Sequence, residues 1–211
     1  MKLNRFFIAI SFVLSPFILE AQEGIIYDRE STMHATLHSR GLSFGYKTGK
    51  IRSIDKTTYW NFEASYIRSQ KQIKLFNWYS GNTIVYGKLN DMLALRGGYE
   101  VERRIYGKPY WGGVELRWLY EAGATIGILK PYYEYQSFWY GIGETKLKPG
   151  IYGRGGMSFE IGSTRSHAKA IEVGAMAEYF PQGINLMKQN PTEYVLLTLY
   201  LSFHWGVRFN K

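Results

Sequence analysis

The sequence predicts an all-β, antiparallel transmembrane barrel of about eight strands, and three observations carry that prediction. The first is a secretory N-terminus. Lys2 and Arg5 precede an apolar stretch from Phe6 to Leu19, and Leu19-Glu20-Ala21 offers a small residue for cleavage, so residues 1–21 read as a signal peptide. The second is an inverted alternation. In the segment 113–121, Val114, Leu116, Trp118 and Tyr120 share one face, while Glu115, Arg117 and Glu121 share the other. Similar strands recur, with aromatic outer faces opposite glycine, serine, glutamate and arginine, the pattern of a barrel whose outside meets lipid. The third is the last strand, 193–209. Val195, Leu197, Leu199, Leu201, Phe203, Trp205, Val207 and Phe209 form an unbroken apolar face.

Composition narrows the alternatives. No later segment has the run of roughly 20 apolar residues that a spanning helix needs, so a membrane crossing requires a closed sheet with no exposed edge. The chain has no cysteine, which excludes disulfides and thiolate metal sites. The formal net charge is +9, and loss of Lys2, Arg5 and Glu20 with the signal leaves +8. In an exported barrel such a charge points to lipid headgroups, lipopolysaccharide phosphates or acidic glycans rather than nucleic acid. Aromatic residues make up 17% of the chain, with 18 tyrosines, enough for girdles at both water–lipid boundaries.

The strands follow in order. The first is read at about 35–48, with Leu42, Phe44 and Tyr46 outward and Lys47 inward; residues 22–34 before it are expected in the periplasm. The second is at 57–68, with Trp60, Phe62 and Tyr66 outward and Glu63 inward. The third, 82–89, ends at the turn pair Asn90-Asp91. The fourth, 92–105, turns inward Arg96, Glu100 and Glu102. The fifth is 110–121, the sixth 151–162, the seventh 168–180 and the eighth 193–209, so that residues 35–211 form the barrel. The segment 122–150 lacks clean alternation and is expected as a long loop outside the cell; a further hairpin at 124–145 would raise the count to ten. Parity places the basic, aromatic stretch 71–80 in the periplasm.

Several segments are also familiar together: Tyr86-Gly87-Lys88-Leu89-Asn90, Gly113-Val114-Glu115-Leu116-Arg117, Ile128-Leu129-Lys130-Pro131-Tyr132-Tyr133, Lys146-Leu147-Lys148-Pro149-Gly150-Ile151-Tyr152 and Lys169-Ala170-Ile171-Glu172-Val173-Gly174. From about residue 57 onward the chain resembles a family of small outer-membrane barrel proteins of Bacteroidota whose activity is unknown. The resemblance implies a Gram-negative outer-membrane location and a barrel fold, and no activity.

The inward charges Glu63, Arg96, Glu100, Glu115, Arg117, Arg154, Glu160, Glu172 and Glu178 are expected to pair and fill a narrow lumen, because an unpaired charge there is costly. Ser202 and His204 share a face two residues apart. With Glu172 or Glu178 they suggest, as an alternative, a lipid-A or phospholipid-modifying site. His34 and His38 have metal spacing only on a helix, and read as rim histidines on a strand. Nothing points to a cofactor or a metal. The residues Lys130, Pro131, Tyr132, Tyr133, Tyr135, Phe138, Trp139 and Tyr140 mark the long loop as the candidate partner surface. The expected function is that of a non-enzymatic scaffold or accessory subunit; a narrow channel is a further alternative. Expected partners are outer-membrane lipid and lipopolysaccharide, the barrel-insertion machinery, and another outer-membrane or periplasmic protein.

Overall fold

A computed structural model describes residues 27–69, 72–76, 83–107, 113–133, 142–161, 166–188 and 190–210. The signal-peptide assignment lies outside these residues. Eight strands close into an antiparallel barrel: β1 (Arg29–His38), β2 (Gly41–Ser53), β3 (Lys56–Ile67), β6 (Asn90–Tyr106), β7 (Val114–Pro131), β8 (Lys146–Ile161), β9 (His167–Ile184) and β10 (Glu193–Phe209). Each pairs with its neighbour in sequence, except that β3 passes to β6, and β1 meets β10 to close the ring. The short strands β4 (Ile73–Phe76) and β5 (Thr83–Tyr86) form a separate two-stranded hairpin.

Side chains alternate between a filled interior and an apolar wall. On β10, Thr198, Tyr200, Ser202 and His204 are buried, while Leu197, Leu199 and Trp205 are exposed. Following registered partners from Phe209 through Arg29, Lys50, Thr58, Val101, Tyr120, Gly155 and Ala175 returns to β10 at Leu199, ten residues from the start. A shear of ten on eight strands tilts them by about 40° and leaves an interior only wide enough for side chains. Glycine makes room where large groups cross it: Gly156 faces Gly174, and a Cβ on Gly174 would sit 2.8 Å from the Tyr200 hydroxyl.

Several expectations change. The stretch read as one strand at 35–48 is two, β1 and β2, joined at Ser39-Arg40, and β1 starts inside the segment assigned to the periplasm. Residues 83–86 lie in the side hairpin, not in the ring. One strand lost and one gained leave the count at eight. The long connection shrinks as well: β7 continues to Pro131 and β8 begins at Lys146, so 124–131 extends a barrel strand and makes no extra hairpin. Splitting the first strand reverses parity up to residue 90. Residues 68–69, 72–76 and 83–89 therefore lie at the same barrel end as 132–133, 142–145 and 185–188, opposite the end expected for 71–80, of which 72–76 are described.

Candidate functional site

The lumen is built in layers. At the loop end Ile67, Met92, Leu129, Phe180 and Leu196 point inward from five strands and pack with Leu186 and Met187 from the β9–β10 connection. This apolar plug had no counterpart in the expected polar lumen.

Below it lies a first charge cluster. Arg96 forks onto Glu178 with two contacts of 2.9 Å and also donates to Glu63. Arg154 reaches Glu63 at 2.5 Å and stands 3.4 Å from Glu121. Asn61 at 3.1 Å and the Tyr152 hydroxyl donate to the same Glu121. Bidentate guanidinium contacts of this kind are short and directional.

The middle cluster is centred on Lys47. Its ammonium lies 2.9 Å from Glu100, 2.9 Å from Glu102 and 2.7 Å from Glu172, and 4.8 Å from the centre of the Tyr59 ring. The three carboxylates converge closely enough to hold a metal ion, but the lysine ammonium sits among them. In the third cluster, toward the termini, Arg117 meets Glu115 at 2.8 Å and Glu102 and Glu160 at 3.3 Å. Arg208 meets Glu30 at 2.7 Å and Glu160 at 2.6 Å. The space beside Lys47, lined by Glu102, Glu172 and His204, is about 20 Å³, room for about one water.

All nine charges expected inside are thus placed in these clusters. Lys47, Glu102 and Glu121 sit at inward positions of the alternation yet were left out of the network. Glu30 and Arg208 were missed because they lie at the ends of the closing strand pair, where no pattern signals a seam.

The histidines are placed differently from the rim expected for them. His34 and His38 are buried in the lumen: His34 Nε2 is 3.4 Å from Glu63, its ring stacks on His204 at 5.0 Å, and His38 pairs with Ser65 at 2.8 Å. A Cβ on Gly45 would come within 2.5 Å of the His34 ring, so the glycine creates that space.

The Ser202–His204 pair does not form a relay. The Ser202 hydroxyl bonds Thr36 at 2.7 Å, His204 Nε2 lies 3.0 Å from Glu172, and Glu178 is taken by Arg96. Both residues are buried inside the barrel, away from the exposed apolar wall.

The loop end is a joined surface. Leu89 donates its backbone N–H to Leu186, Lys188 to Gly87 and Tyr132 to Leu89, at 2.8–2.9 Å. Asp91 accepts from Lys88 at 2.5 Å and from Tyr66 at 2.7 Å, and the Lys88 ammonium lies 4.7 Å from the Tyr132 ring centre. Tyr133 donates to Glu144 at 2.8 Å, tying the end of β7 to the turn before β8. Lys130 and Pro131 end β7. Tyr135, Phe138, Trp139 and Tyr140 lie outside the described residues. Lys88, Lys130, Lys146, Lys148 and Lys188 collect at this end, against Asp91 and Glu144.

No family model and no curated protein matches this chain. Several solved structures are similar at low level, three of them as follows. Neisserial surface protein A is 11% identical, with 87% of this chain and 97% of that one covered and a TM-score of 0.49. The N-terminal β-barrel domain of Pseudomonas aeruginosa OprF is 9% identical, with 85% and 97% covered and a TM-score of 0.43. The attachment invasion locus protein Ail of Yersinia pestis is 12% identical, with 87% and 100% covered and a TM-score of 0.42. Similarity this distant carries nothing about what the present chain binds.

Proposed function

We propose that this chain is an integral outer-membrane barrel that works as a scaffold or accessory subunit, presenting its basic loop end to lipopolysaccharide phosphates or to another outer-membrane protein. The observation that carries the reading is the closed lumen. Ion pairs fill it through three layers, apolar side chains seal its loop end, and the space beside Lys47 holds about one water. Among the described residues such an interior offers no path to a solute and no chamber to a substrate, which leaves the two ends and the wall. At the loop end, three chain segments are bonded into one surface that is rich in lysine.

The test has three arms. Reconstituted in planar bilayers, the mature chain should show no conductance steps, and stable openings would favour a narrow channel. Lipid A from wild-type cells, a strain lacking the chain and a Ser202→Ala strain should give one mass spectrum. An acyl-chain difference shared by the last two would replace this proposal with an enzymatic one. Binding is read by capture of the folded protein on lipopolysaccharide before and after dephosphorylation, and removal of the phosphates should abolish it.

A further inference from the structure

The opposite end of the barrel carries an arrangement that the scaffold reading does not use. On the outer face of β1 and β2, Arg29 pairs in register with Lys50. On the outer face of β3 and β6, Lys56 pairs in register with Arg103. Like charges placed directly opposite one another destabilise a sheet, and here two such pairs sit on four consecutive strands of the ring. Lys50 pairs with Thr58, so Lys56, two residues away, is its diagonal neighbour. Strand tilt brings all four cations into a band roughly 5 Å tall. None of the four has an ion pair among the described residues, whereas the adjacent Arg104 is engaged by Asp55 at 2.9 Å. Arg29 Nε is buried and has no hydrogen-bond partner there.

Above these cations, on the same part of the wall, runs an open apolar groove of about 830 Å³. Phe44, Phe62, Trp205, Ala35, Gly45 and Ala64 are among its lining residues. The T-shaped pair of Trp60 and Tyr99, with ring centres 5.4 Å apart, lies between the cations and the mid-wall on β3 and β6. Such aromatic pairs sit at headgroup depth. Cations below, aromatics at the boundary and an apolar channel above match the three parts of one molecule: an acidic headgroup, its glycerol region and its acyl chains.

We propose that this face is a binding site for an anionic phospholipid of the periplasmic leaflet, with its phosphate between the Arg29–Lys50 and Lys56–Arg103 pairs and an acyl chain in the groove. The site rests on the membrane-embedded reading above. A second copy of the chain is a poorer occupant, because a two-fold contact through this face would set the four cations against themselves. Phospholipid brings the missing counter-charge and the missing apolar cover together.

The experiment uses the full mature chain and phosphatidylglycerol as the probe. Refolded protein is equilibrated with mixed micelles holding equal phosphatidylglycerol and phosphatidylethanolamine, and retained lipid is counted by native mass spectrometry. Wild type should retain phosphatidylglycerol in preference. The double variants Arg29→Gln/Lys50→Gln and Lys56→Gln/Arg103→Gln should each lower that retention by about tenfold, while Lys130→Gln/Lys146→Gln at the other end should not. Stability gives an independent readout with a change of sign. In phosphatidylcholine vesicles the double variants should be at least as stable as wild type, since like-charge repulsion is relieved; with phosphatidylglycerol present they should be less stable. Equal retention of the two lipids by wild type, an equal loss in the Lys130/Lys146 control, or a lipid-independent dimer through this face would overturn the site. A chain that folds and inserts but ignores phosphatidylglycerol refutes the site alone. A chain that stays soluble and monomeric without detergent refutes the barrel reading beneath it.

Discussion

Lys47 is the residue on which the interior depends most. Its ammonium separates three carboxylates, and without it Glu100, Glu102 and Glu172 face one another with oxygens within 4.8 Å. Breaking a buried ion pair by removing one partner costs about 3–5 kcal/mol. The variant Lys47→Met should therefore lower the urea midpoint of the refolded barrel by that equivalent, read by gel mobility. A shift no larger than that of Ser202→Ala would mean that the carboxylates are compensated elsewhere. Ser202→Ala loses a hydroxyl bond to Thr36 at 2.7 Å and a longer one to the Ala35 carbonyl at 3.4 Å and should cost about 1 kcal/mol. The comparison separates a charge centre from an ordinary polar contact at neighbouring depths of the same lumen.

Each strand presents two solvents at once, and the cost of an error on its outer face depends on depth. Leu201 is outward near the middle of β10, between Leu37 and Val173 on the flanking strands. Leu116 is outward near the start of β7, close to the terminal rim. Arginine at a mid-bilayer position of a barrel costs about 2–4 kcal/mol, and at the interface about 0–1 kcal/mol. Liposome refolding should show a large loss of folded fraction for Leu201→Arg and a small one for Leu116→Arg. Equal effects would mean that the lipid belt is not centred where the aromatic residues place it. The closing pair obeys the same logic, since β1 and β10 are joined in register over all of β1, from Arg29 to His38. That seam removes the exposed edges that lipid cannot satisfy.

The whole molecule is a wall of exposed apolar side chains around a charged interior, the reverse of a water-soluble barrel. Such a chain should run as a compact, heat-modifiable band and require detergent once folded. Its two ends differ in character. The loop end is bonded together by backbone contacts among residues 87–89, 132 and 186–188, whereas the terminal end carries four cations with no ion pair among the described residues. Deleting residues 134–141 removes nothing that the described ladder uses, so the shortened chain should still fold and insert. Capture on lipopolysaccharide is expected to fall with that deletion. Normal capture by the shortened chain would move the binding surface to the lysines on the strand ends.

For the ring strands after β1, the sequence by itself determined which face is the exposed apolar one. A period-two pattern survives any error in strand limits, and one apolar face of 195–209 or 114–120 has only one place to go. It also put acids and arginines at inward positions of a narrow ring, where they have no other solvent. Only the tertiary structure decided which of them meet. Lys47 touches Glu102 and Glu172 from strands far apart in sequence, and their convergence depends on the shear of the ring, which no local pattern encodes. The Ser39-Arg40 turn was invisible for a related reason. His34, Thr36 and His38 look like a polar surface until the lumen supplies Glu63, Ser65 and Ser202 as partners. The hairpin β4–β5 shows the converse, since residues 82–89 have the local character of a strand, yet the ring closes without them. Alternation reports the environment of a side chain. Which strands are neighbours is decided by closure, where every backbone edge must find a partner at once.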